Sequence, residues 1–120
     1  MSDIENTGGI PDAIASLATL NSHNYRRILQ QVEKDFNLCG LQADWTEETM
    51  PDEFWITLVQ AIHDLLETDA LTLRALLYRV DVPEEMIEKL YLEKRPTLQE
   101  DLTKLLLFRE IKKVLGRSSS

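Results

Sequence analysis

The chain has 120 residues, one cysteine and a formal net charge of −8, with 43% hydrophobic and 28% charged residues. That balance belongs to one globular domain and excludes a disordered chain. The lone thiol, Cys39, excludes an intramolecular disulfide or a multi-cysteine metal site, and the acidity argues against general nucleic-acid binding.

The N-terminus carries no basic start followed by an apolar run, and no stretch approaches the roughly 20 apolar residues that span a bilayer. A cytoplasmic protein with no membrane span is expected. Four glycines and four prolines leave few turns, which favours a few long elements over many short strands. The expected fold is all-α, a compact bundle of five or six helices joined by short turns. A single helical domain over residues 11–116 is expected between a flexible lead, 1–10, and a loose tail, 117–120.

Pro11 and Asp12 can open a short helix through Leu20, on the spacing of Ile14, Leu17 and Ala18. A second helix is predicted from Asn24 to Asn37, with Ser22 or Asn24 as its N-cap. Tyr25, Ile28, Leu29, Val32 and Phe36 make its apolar stripe, and Gly40 is placed to end it in a left-handed turn. Residues 38–49 read as a loop carrying Cys39, Leu41 and Trp45, with Trp45 either closing over the core or exposed as an anchor. The third helix runs from Pro51 to Glu67 with Thr49 as its cap. Asp52 and Glu53 suit the positive end of the dipole, and Phe54, Trp55, Leu58 and Ile62 lie in its core stripe.

Thr68 or Asp69 can cap a fourth helix through Val80, turning Leu73, Leu76 and Leu77 inward. The run Asp81-Val82-Pro83-Glu84 repeats the start signal for a fifth helix to Glu93 that buries Met86, Ile87 and Leu90. Arg95-Pro96 breaks it. Thr97 and Glu100 then form a capping-box pattern that opens a last helix to Leu115, with Gly116 as terminator.

The last helix carries the one unusual pattern. At about 100° per residue, Leu98, Leu102, Leu105 and Leu106 share one face, whereas Leu107, Phe108, Ile111, Val114 and Leu115 cluster on roughly the opposite one. A helix on one core keeps one stripe. This helix is therefore either wrapped by its own domain or lends Phe108, Ile111, Val114 and Leu115 to a partner, most simply a second copy. Charge is as uneven as hydrophobicity. Residues 35–69 hold nine acids and no lysine or arginine, whereas residues 103–120 hold five bases and only Glu110 as an acid. The bases Arg109, Lys112, Lys113 and Arg117 can meet the acidic region of a neighbouring chain or, in a second reading, nucleic acid.

Chemistry-bearing motifs are lacking. His63 and Glu67 lie four apart, yet residue 60 is glutamine, so the Glu-x-x-His of di-iron bundles is absent. The pairs Glu47–Glu48, Asp52–Glu53 and Glu84–Glu85 sit near helix starts and point about 100° apart, which suits the dipole better than a shared substrate. No phosphate loop, nucleophile elbow or dinucleotide fingerprint occurs. The expectation is a non-enzymatic interaction module with no cofactor and no metal.

Overall fold

The computed structural model describes the backbone of residues 9–119 and the side chains of residues 14–116. Six helices follow in chain order: α1 (Gly9–Ala18), α2 (Ser22–Leu38), α3 (Pro51–Thr68), α4 (Ala70–Arg79), α5 (Glu84–Glu93) and α6 (Leu98–Ser119). No strand occurs among the described residues, and none of the helices is long and apolar enough to cross a membrane. Most of the expected lead, residues 1–8, lies outside the described residues.

Most helix ends depart from expectation by a residue or two, whereas the end of α6 lies four residues beyond it. The cap of α2 is Asn21, whose Oδ1 accepts from the Asn24 N–H at 2.8 Å. At the start of α3 Met50 occupies the cap position without a side-chain bond, because the Thr49 hydroxyl accepts from the Thr46 N–H instead. Asp69 alone separates α3 from α4; its N–H bonds the Leu65 carbonyl while its carboxylate accepts from the Thr72 N–H. Thr97 donates its hydroxyl to Asp101 rather than pairing with Glu100. Gly116 does not end α6, which continues to Ser119.

Two helices end in the same device. Past α2, Gly40 stands at φ +79°; its N–H bonds Asn37, and the next N–H, from Leu41, reaches back to Phe36. Past α4, Asp81 stands at φ +66°, its N–H bonds Tyr78, and Val82 N–H reaches Leu77. Both are Schellman turns, which satisfy the last carbonyls and fold an apolar residue back onto the helix. Val82 is accordingly buried. Asp81 is thus the stop of α4 and not the cap of α5, whose cap position is Pro83.

α6 lies at the centre, packed against α1, α2, α3 and α5. Between Leu98 and Leu115 only Lys112 is exposed. Its buried residues are Leu102, Thr103, Leu106, Leu107, Glu110 and Val114, which fall on one arc of about 140°. The expected switch of face is therefore replaced by one stripe between the two expected faces. Leu102 and Leu106 come from the first, Leu107 and Val114 from the second, and the polar Thr103 and Glu110 fill the arc between them. Thr103 satisfies its hydroxyl by donating to the Gln99 carbonyl at 2.6 Å.

α3 contributes Phe54, Trp55, Leu58, Ile62 and Leu65 to the core, and α2 contributes Ile28, Leu29, Val32 and Phe36. α5 is only lightly embedded. Ile87 is its only buried residue, and Met86, expected inside, is 43% exposed.

Replacing Asp81 with glycine should raise stability by roughly 0.5–1 kcal/mol, because glycine carries little of the left-handed strain. Replacing Gly40 with alanine should lower it by about 1 kcal/mol, since a Cβ at that φ is strained even with open space around it. Urea denaturation of both variants measures the pair; equal shifts of the same sign would contradict the turn assignment.

Candidate functional site

The residues expected to bind a partner separate. Val114 is in the core, 3% exposed, and is unavailable to a partner in the folded chain. Ile111 packs partly buried against the core, and Leu115 is half-buried. Phe108 lines a groove between α5 and α6, together with Met86 and Leu90 of α5 and Leu105 of α6. Lys89, Glu93, Arg95, Asp101 and Lys104 form the rim of this groove. Arg95 pairs with Asp101 at 3.7 Å, and the Lys104 ammonium sits 5.8 Å from the centre of the Phe108 ring. The groove thus has an apolar floor with Lys89 and Lys104 among its rim charges. On the other side of α5, Leu92 is 78% exposed, and Arg74 lies over the Tyr91 ring.

The basic residues do not share one surface. Lys112 is exposed and Arg109 half-buried. Lys113 turns toward the interior, its Nζ 3.9 Å from Asp35 Oδ2. The side chain of Arg117 lies outside the described residues.

Lys113 leads to a cluster that the sequence did not single out. Asp35 of α2 and Glu110 of α6 are both fully buried. Asp35 accepts from Arg79 Nε of α4 at 3.0 Å and from Gln31 Nε2 at 3.1 Å. Burial works against its ionisation. Hydrogen bonds with Glu110 and Gln31, the charge of Lys113 and the bond from Arg79 outweigh burial and hold the carboxyl below the usual aspartate range. The signal available beforehand was an acid inside each apolar stripe: Asp35 between Val32 and Phe36, and Glu110 between Leu107 and Val114. Each reads as an ordinary charged position until its helix is seen to have neighbours on that side.

The remaining candidates have structural roles. Cys39 is the C-cap of α2, and burial pushes its thiol up, with Arg79 opposing and Asp35 adding. That is opposite to the shift that activates a nucleophile. Trp45 covers the core, edge-on to Phe36 and to Phe54 at 5.1 Å each, with its Nε1 donating to Thr57 Oγ1. Trp55 is buried in the core stripe of α3, as expected. Tyr25 donates its hydroxyl to the Thr49 carbonyl; burial, then the charges of Glu53 and Asp52, push its pKa up to about 12. His23 is exposed and His63 partly buried.

Comparison with protein families, with curated proteins and with solved structures finds no match to this chain.

Asp35→Asn should cost about 1–3 kcal/mol, because it leaves a buried donor facing another donor. Arg26→Gln removes the exposed Arg26–Glu47 pair and should cost well under 1 kcal/mol. The lowered Asp35 pKa contributes stability above about pH 3.9 that is lost as pH falls through the folded value. Chemical denaturation between pH 3 and 6 should therefore show a shallower acid loss for Asp35→Asn than for the wild type.

Proposed function

We propose that the protein is a non-catalytic interaction module whose α5–α6 groove receives a second copy of the chain. The observation that carries this reading is the position of Phe108. It is the residue of the expected partner face that lines the α5–α6 groove, flanked there by Met86 and Leu90 of α5. Exposed apolar surface rimmed by charge is the usual mark of an interaction site.

The start of α3 supplies a complementary surface. Met50 and Ile56 are each 63% exposed, and Asp52 and Glu53 stand exposed beside them. Asp52 and Ile56 lie four apart and share a helix face. An acidic, apolar helix start suits a groove with an apolar floor and lysines on its rim. The nucleic-acid reading is weaker, because Lys113 is engaged with Asp35.

Light-scattering mass across a concentration series tests the proposal. The wild type should associate, and Phe108→Asp should be a folded monomer by circular dichroism, with at least a tenfold weaker association (about 1.4 kcal/mol). Lys104→Glu, and separately the double change Asp52→Lys with Glu53→Lys, should each weaken association. Mixing those two variants should restore part of it. A wild type that stays monomeric at all concentrations would refute the self-association.

A further inference from the structure

We propose that residues 82–93, α5 with its leading turn, are a lid that undocks from α6 as one unit while the rest of the bundle stays folded. This inference concerns the free chain and does not rest on self-association.

Three observations meet on this segment. The first is backbone strain. Among the described residues only two other than glycine stand at positive φ, Asp81 at +66° and Lys94 at +51°, and they bound the segment on its two sides. A side chain in the left-handed region crowds its own backbone, and such residues persist only where the surrounding structure holds them. The second is shallow burial. Val82 and Ile87 are the only buried side chains between Asp81 and Lys94, whereas the equally long stretch from Leu102 to Lys113 of α6 buries Leu102, Thr103, Leu106, Leu107 and Glu110.

The third is the space along both flanks. A groove of about 400 Å³ runs between α5 and α6, with Met86 and Leu90 facing Leu105 and Phe108. A second, of about 370 Å³, sets Tyr91 and Leu92 against Leu66, Ala70 and Arg74. Clefts on two sides forfeit the close packing that would seat the helix firmly. The ties across the second cleft are slight. Arg74 pairs with Glu84 at 3.9 Å, where the glutamate side chain is 57% exposed, and lies over the Tyr91 ring. An exposed ion pair of this kind contributes little.

The ground beyond each end is firm. Val80 is buried just before Asp81, and past Lys94 the Asp101 carboxylate takes Thr97 Oγ1 at 3.2 Å and Arg95 Nε at 3.7 Å. The chain therefore pivots at Asp81 and Lys94, and both relax as the segment leaves its seat. Opening withdraws Val82 and Ile87, breaks the bond from the Val82 N–H to the Leu77 carbonyl, and uncovers the groove floor at Leu105 and Phe108. An isolated helix as short as α5 is marginal in water, so once undocked it unravels and its amides meet solvent.

Native-state hydrogen exchange over a series of low urea concentrations tests the lid. The amides of Leu90, Tyr91 and Leu92 should exchange faster than those of Leu106 and Leu107 by roughly tenfold or more, through an opening that urea barely promotes because it exposes little surface. Asp81→Gly and Lys94→Gly relieve the strain of the closed seat, and each should slow exchange of the three α5 amides by roughly two- to fivefold. Fraying within α5 would leave both pivots in place, so exchange that neither substitution moves refutes the lid. Amides of α5 and α6 that exchange together, with the same response to urea, refute it as well, since α5 would then open only with the whole domain.

Discussion

A helix covered by neighbours along most of its length has little room to turn polar groups to water, and α6 is such a helix. Every charged or hydroxylated residue on its inner arc must find a partner within the protein. Thr103 finds one in its own backbone, and Glu110 helps to hold the carboxyl of the equally buried Asp35 of α2 below its usual range. The second solution ties three helices together, since Asp35 also takes Arg79 from α4 and Lys113 from α6. Apolar packing alone is non-directional. A buried set of donors and acceptors fixes how far α2 is rotated and translated against α6. Removing one member leaves the others without their geometry, so the cluster gives the interior a register.

The outer elements are held differently. α3 and α4 share one linking residue, Asp69, which closes one helix with its backbone and opens the next with its side chain. α2 and α4 each end in a left-handed turn that returns an apolar residue to the core. α5 has less to hold it: one buried isoleucine, the exposed-side pair Arg74–Glu84 at 3.9 Å and the contact of Arg74 with Tyr91. The surface proposed for association is therefore built on an element with few obligations to the interior.

Much of this was legible from spacing. Five or six helices, the stripes of α2 and α3, the stop at Gly40 and the place of Trp55 all follow from apolar periodicity and turn chemistry, which act within a few residues. The cap positions moved by a residue or more because a polar side chain near a helix start can serve the preceding turn instead. Thr49 loses the cap of α3 because its hydroxyl serves the turn before it. Met86 was expected inside because period alone does not say how many sides of a helix are covered. The Asp35–Glu110 pair was not legible for a related reason. Its two residues are far apart in the chain, and each alone looks like an ordinary acid. Their contact exists only once α2 and α6 are packed.

The two tryptophans occupy different depths, and this has an optical consequence. Trp55 is enclosed among core residues, whereas Trp45 sits on the rim, its ring edge-on to Phe36 and Phe54 and its indole N–H held by Thr57. The two fluorophores therefore sample unlike surroundings. Lifting the segment between α2 and α3 would expose one indole to water and leave the other dry. With Trp55 changed to phenylalanine the remaining emission reports that lifting alone, and with Trp45 changed to phenylalanine it reports the melting of the interior. The fold thus carries an intrinsic pair of probes that distinguish peeling at its edge from collapse at its centre.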